Sequence, residues 1–234
     1  MPAYDRSPPQ SYREIDRWSG GVGWLAHPNE DGKRASHAIA ADDGLWVFDP
    51  LDVPGLDELL AEFGTVAGVV VLSSYHARDA GEIATRHDVA VSVPRWLDRI
   101  PERVEAPIQR FDAAIGNSGF EVRQCEPIPG WREAVAYHAD SATLYVPDLL
   151  GTAPGYTVGN ERLGVFLTHR LFPPHETLTD LDPERIILGH GTGVFENAST
   201  ALDDALSGAR RRFPRALVTN LRTNCRLLVD ALRD

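Results

Sequence analysis

Three short apolar runs constrain this chain more than any other feature. V-A-G-V-V-V-L (66–72) runs into S-S-Y-H-A-R-D-A, A-T-L-Y-V-P (142–147) ends at Asp148, and R-I-I-L-G (185–189) ends at His190. Short apolar runs without helical periodicity, bounded by Gly and Pro, read as buried strands. Each ends in a residue able to bind metal or move a proton. Strand ends in layered α/β proteins gather on one edge of the sheet, where sites are usually built. The glycines on either side of His190 let backbone and ligand approach closely. Taken singly, an Asp after a strand reads as a helix cap or turn former, and a lone His as a polar turn residue.

The elements around these runs predict an α/β layered fold. Short strands are expected at 21–26, 36–41 and 45–50, with a hairpin turn at Asp42-Asp43-Gly44. Apolar residues at 56, 59, 60 and 63 predict a helix over 54–63. A strand over 68–72, a helix over 80–87 and a strand over 89–94 follow. The second half reads as a meander at 120–125, 134–138 and 142–148. A short helix is expected within 160–171, a strand at 185–191, and two closing helices at 195–213 and 214–233. Residues 1–18 read as a loose leader and 214–234 as an Arg-rich helix with an apolar stripe of Leu217, Leu221, Leu228 and Leu232. No linker or repeat divides the chain, so one domain over 1–234 is expected.

Composition narrows the function classes. A net charge of -11 argues against nucleic acid and anionic membranes as partners. No apolar run reaches the ~18 residues of a membrane span, and the start shows no signal-peptide core, so a cytoplasmic protein is expected. Lys33 is the lone lysine beside 22 arginines and 34 acidic residues. That balance fits either a GC-rich genome or a salt-loving cytoplasm. Cys125 and Cys225 stand far apart and read as reduced thiols.

The order of motifs resembles the metallo-β-lactamase superfamily, which implies a four-layer αβ/βα sandwich. L-W-V-F-D-P (45–50) is similar to the family's early strand ending in Asp. S-S-Y-H-A-R-D-A lies where its H-x-H-x-D-H motif belongs. P-I-P-G-W (127–131) resembles its P-G-H segment, A-T-L-Y-V-P-D (142–148) the strand carrying the bridging Asp, and G-H-G (189–191) its last motif. With Asp79 aligned on the motif's Asp, the three His positions fall on Tyr75, Ala77 and Ala80, and the His of P-G-H falls on Trp131. Three of the seven ligand positions survive: Asp79, Asp148 and His190.

The resemblance therefore implies either a fold that has lost two-metal chemistry or a mononuclear hydrolase of an ester, thioester or phosphoester. The mononuclear form holds one zinc, iron or manganese ion on Asp79, Asp148 and His190, and His76 or His138 joins if the loops bend inward. The degenerate form holds no ion and keeps a pocket for a small molecule. A third reading pairs His190 with Asp79 for metal-free acid–base work. Tyr75 and Trp131 are expected to line or fill the vacated pocket, and Arg78 to pair with Asp79 in place of a cation. The apolar stripe of the last helix suggests a homodimer contact.

Overall fold

The computed structural model describes residues 3–231, without the side chains of 227, 228, 230 and 231. Thirteen strands and four α-helices follow one another along these residues. The first sheet has seven strands in sequential order: β1 (Arg13–Trp18), β2 (Gly21–Leu25), β3 (Ala35–Ala41), β4 (Gly44–Phe48), β5 (Val66–Val70), β6 (Val91–Pro94) and β7 (Ile108–Phe111). The first four pair antiparallel; β4 to β7 pair parallel. Helices α1 (Leu56–Ala61) and α2 (Ala80–Arg86) make the first two crossovers that parallel pairing needs, and the loop 95–107 makes the third. The second sheet runs β13 (Arg185–Leu188), β10 (Thr143–Val146), β9 (Glu133–His138), β8 (Phe120–Cys125). A small pair, β11 (Leu150–Gly151) with β12 (Gly164–Val165), lies beyond it, followed by the short helix α3 (His175–Leu178) and then, after β13, by α4 (Ala198–Ala231).

Strand alternation explains why four layers form. Val47 and Val69 point into the cluster holding Leu56, Leu59, Leu60 and Ile83 of α1 and α2. Their neighbours Trp46, Phe48 and Val70 point the other way, against Phe120, Tyr145 and Ile187 of the second sheet. On that sheet Leu144, Val146, Ile186 and Leu188 face outward onto Leu202, Ala205, Leu206 and Ala209 of α4. Both sheets are apolar on both faces, so each needs a cover on each side. The order helix, sheet, sheet, helix is the αβ/βα sandwich.

Four sequence expectations need correction. Residues 13–18 of the expected leader form β1, a polar edge strand with Ile15 turned inward. Within the stretch 101–118, where no element was expected, 108–111 form the edge strand β7. The stretch 160–171 holds β12 and a single 3₁₀ turn over Leu167–Leu171 in place of a helix. The two closing helices are one helix of 34 residues that carries Pro214 inside it. Packing outweighs the proline: Asn220 and Asn224 hold the C-terminal half by donating to the carbonyls of Gly155 and Thr157. Leu217 and Leu221 of the apolar stripe are exposed; the side chain of Leu228 and all of Leu232 lie outside the described residues.

Candidate metal centre

Three strand ends deliver the site. The turn after β5 carries His76, the end of β10 carries Asp148, and the end of β13 carries His190. Gly191 takes a left-handed φ of 96°, and a Cβ there would lie 2.3 Å from Thr152 Oγ1, so the G-H-G turn needs its glycine. All three functional side chains are buried. Among the described residues they form the one group of His, Cys, Asp or Glu whose ligand atoms lie mutually within 4.8 Å.

Their hydrogen bonds fix how each ring faces. His190 Nδ1 is 2.7 Å from the carbonyl oxygen of Gly32, which only accepts, so Nδ1 carries the proton. His76 Nδ1 lies 3.1 Å from the Asp49 carboxylate, with the same consequence. Both rings therefore turn an Nε2 lone pair inward when neutral. Both Nε2 atoms approach the same oxygen, Asp148 Oδ1, at 3.0 Å from His190 and 3.1 Å from His76. The three ligand atoms lie within 4.8 Å of one another, and Arg78 Nη2, which can only donate, also reaches His76 Nε2 at 3.2 Å. Donor atoms around a tetrahedral zinc with bonds of about 2.0–2.1 Å lie about 3.3 Å apart, close to the spacing seen. The donor set fits one cation.

Supporting groups hold these ligands from behind. Ser73 Oγ donates to Asp148 Oδ2. Asp49, itself at a left-handed φ of 45°, accepts from Tyr145 Oη at 2.7 Å and Leu72 N at 3.0 Å while it orients His76. A carboxylate or carbonyl behind each imidazole is the usual arrangement around metal-ligating histidines. Tyr156 stacks on the His190 ring at 5.6 Å, and Tyr4 approaches the same ring at 6.4 Å. Tyr4 reaches it because Ala3 and Asp5 are pinned to Gly32, Glu30 and Arg34, and a Cβ at Gly32 would lie 2.3 Å from the Tyr4 ring.

Electrostatics describe the same centre. Burial alone would raise the Asp148 pKa, but the adjacent His76 and His190 hold it well below the usual carboxylate range. Burial and Arg78 push His76 down; Asp148 and Asp49 outweigh them and leave it raised. Burial keeps His190 lowered despite Asp148. Burial and the neighbouring Asp148 charge push Glu133 well above the usual carboxylate range, and it accepts from Trp131 Nε1 and Leu149 N. A proton on His76 would satisfy one contact to Asp148 but would face the Arg78 guanidinium, 3.2 Å from that same Nε2. It would leave the His190 lone pair against Asp148. One cation satisfies both rings.

The remaining expected site residues fall elsewhere. Asp79 is not in the cluster: its carboxylate turns away and accepts from the Asp52 backbone N–H at 2.7 Å, at the start of α2. His76 stands with Asp148 and His190 instead. Arg78 makes no ion pair with Asp79 among the described contacts. Its φ of 40° swings the guanidinium to the carbonyls of Ala35 and Asp49 and to His76. Tyr75 and Trp131 touch at 5.4 Å, and Trp131 stacks on Phe166 at 5.5 Å, so aromatic rings occupy that side. His138 faces Asp42 and Ser141 at the far end of β9. Ser73, Glu133, Tyr4 and Tyr156 were not singled out from sequence. Asp49 had a signal, the strand ending in Asp-Pro.

No family model and no curated protein matches the chain. Solved structures do. The metallo-β-lactamase DIM-1, exposed to ceftazidime, superposes with a TM-score of 0.61 at 12% identity, over 88% of this chain and 99% of that one. The mono-zinc form of the metallo-β-lactamase FIM-1 from Pseudomonas aeruginosa gives 0.52 at 13% identity, over 86% and 99%. The protein TTHA1623 in a di-iron-bound form gives 0.54 at 18% identity, over 74% and 93%. The chain has the metallo-β-lactamase fold.

Proposed function

We propose that the protein is a mononuclear metal-dependent hydrolase whose single ion is held by His76, Asp148 and His190. The observation that carries this is the approach of both Nε2 atoms to Asp148 Oδ1, at 3.0 and 3.1 Å, with each Nδ1 facing an acceptor. Two imidazoles and one carboxylate suit zinc, iron or manganese. When bound, such an ion supplies Lewis acidity and lowers the pKa of water.

The chain's own residues do the rest. Asp49 and the Gly32 carbonyl fix the two rings, and Ser73 fixes the carboxylate. Glu133 fixes the backbone at Asp148 by accepting from the Asp148 and Leu149 N–H groups. Tyr4 and Tyr156 cover His190 and limit water. Esters, thioesters and phosphoesters are the substrate classes this chemistry addresses. The test is a hydrolysis panel of those three bond types with protein reconstituted in zinc, iron(II) or manganese. Metal-stoichiometric turnover abolished in D148N supports the reading. Turnover equal in D148N, or none with any of the three ions, contradicts it.

One observation favours a second reading. The Arg78 guanidinium, 3.2 Å from His76 Nε2 and anchored on backbone carbonyls, supplies a fixed positive charge next to the cluster. On that reading Arg78 replaces the ion, and the protein keeps the fold as a metal-free binding module. Metal content separates the two.

A further inference from the structure

A cavity of about 850 Å³ opens on the outer side of the His76 turn, between residues 5–9, the segment 51–58 and α2. None of the three cluster residues lines it. Its apolar floor includes Leu51, Val53 and Leu56. Its volume falls in the range of small-molecule sites, about 300–1,000 Å³. Two arginines line it with buried N–H groups that have no hydrogen-bond partner: Arg78 through Nε and Arg103 through Nη1.

The acidic residues of the lining do not answer them. Asp52 and Asp57 are engaged by Arg86 at 2.8 and 3.0 Å. Asp79 accepts from the Asp52 backbone, and Asp5 accepts from Ser7. Glu58 and Glu82 are exposed. A buried donor left unpaired is costly, more so on a charged group, so an occupant that accepts from both guanidinium groups is favoured. Guanidinium groups match planar or tetrahedral oxyanions.

We propose that this cavity binds a small molecule with an oxyanion head, carboxylate or phosphate, on Arg78 and Arg103, and an apolar body on the floor. This site stands whether or not the His76 cluster holds an ion.

Calorimetric titration with hexanoate, hexyl phosphate and neutral hexanol tests it, on chelator-treated and metal-loaded protein alike. At least one anion should bind once per chain and hexanol should not. The tighter of the two identifies the head group. R103Q should weaken that binding at least ten-fold, while R95Q, an exposed arginine outside the cavity, should leave it within two-fold. In unmutated protein, phenylglyoxal modification of Arg103, mapped by mass spectrometry, should slow when the anion is present. No saturable anion binding, equal binding of hexanol, unchanged affinity in folded R103Q, or no protection of Arg103 would each overturn the proposal.

Discussion

Asp79 lies outside the cluster and accepts from the Asp52 backbone N–H, so D79N should keep its metal content and lose only about 1 kcal/mol of stability, measured by urea unfolding. Motif spacing placed Asp79 on a ligand position and His76 on a spacer. The backbone decides otherwise. The left-handed turn at Arg78 sends Asp79 to the Asp52 N–H and leaves His76 facing Asp148. Spacing identifies which residues share a turn, but not which of them points inward. Asp148 and His190 were legible because an extended strand fixes where its last residue lies. D49A removes the acceptor that orients His76 and should weaken metal affinity about 10–100-fold, measured by chelator competition. His169 adds a pH dependence. Burial pushes its pKa down to about 4 from an unfolded value of about 6.5. Between those values the unfolded chain takes up the proton first, so stability falls as pH drops through that window and is complete above it. The loss is about 2–3 kcal/mol by linkage, and H169F should flatten it. The loss expected from Asp148 lies lower, beneath the usual carboxylate pKa near 4, so the two separate along the acid limb.

At the level of elements, most strands announced themselves; the two edge strands of the first sheet did not. R-E-I-D-R-W and I-Q-R-F each bury a single side chain, Ile15 and Phe111, which blurs the alternation that marks a strand. Pro214 was read as a break between helices, since proline removes an i to i−4 hydrogen bond. α4 continues through it because its inner face is fixed on both sides of the proline, by Leu202, Ala205 and Leu206 before and by Ala216, Asn220 and Asn224 after. P214A should thus raise stability, by about 1–3 kcal/mol in urea unfolding. The N-terminal segment was read as loose because it is polar and Pro-rich. Tertiary contacts to Gly32, Glu30 and Arg34 place Tyr4 over His190, which no local pattern encodes. Y4A should speed metal loss to a chelator without changing the cluster's stoichiometry.

Across the whole molecule, the sandwich layers and the shared edge where three strand ends meet followed from the sequence. No helix among the described residues is long and apolar enough to cross a membrane. The net charge of -11 predicts self-repulsion that salt screens, so the melting temperature should rise when sodium chloride goes from low to molar concentration. The account centres on one cation between His76, Asp148 and His190, and elemental mass spectrometry on protein purified without chelator tests it most directly. The prediction is about one equivalent of zinc, iron or manganese in wild type and in D79N, and none in H76A or H190A. No metal in the wild type, with stability unchanged by added zinc or manganese, or metal retained in H76A and lost in D79N, would contradict it.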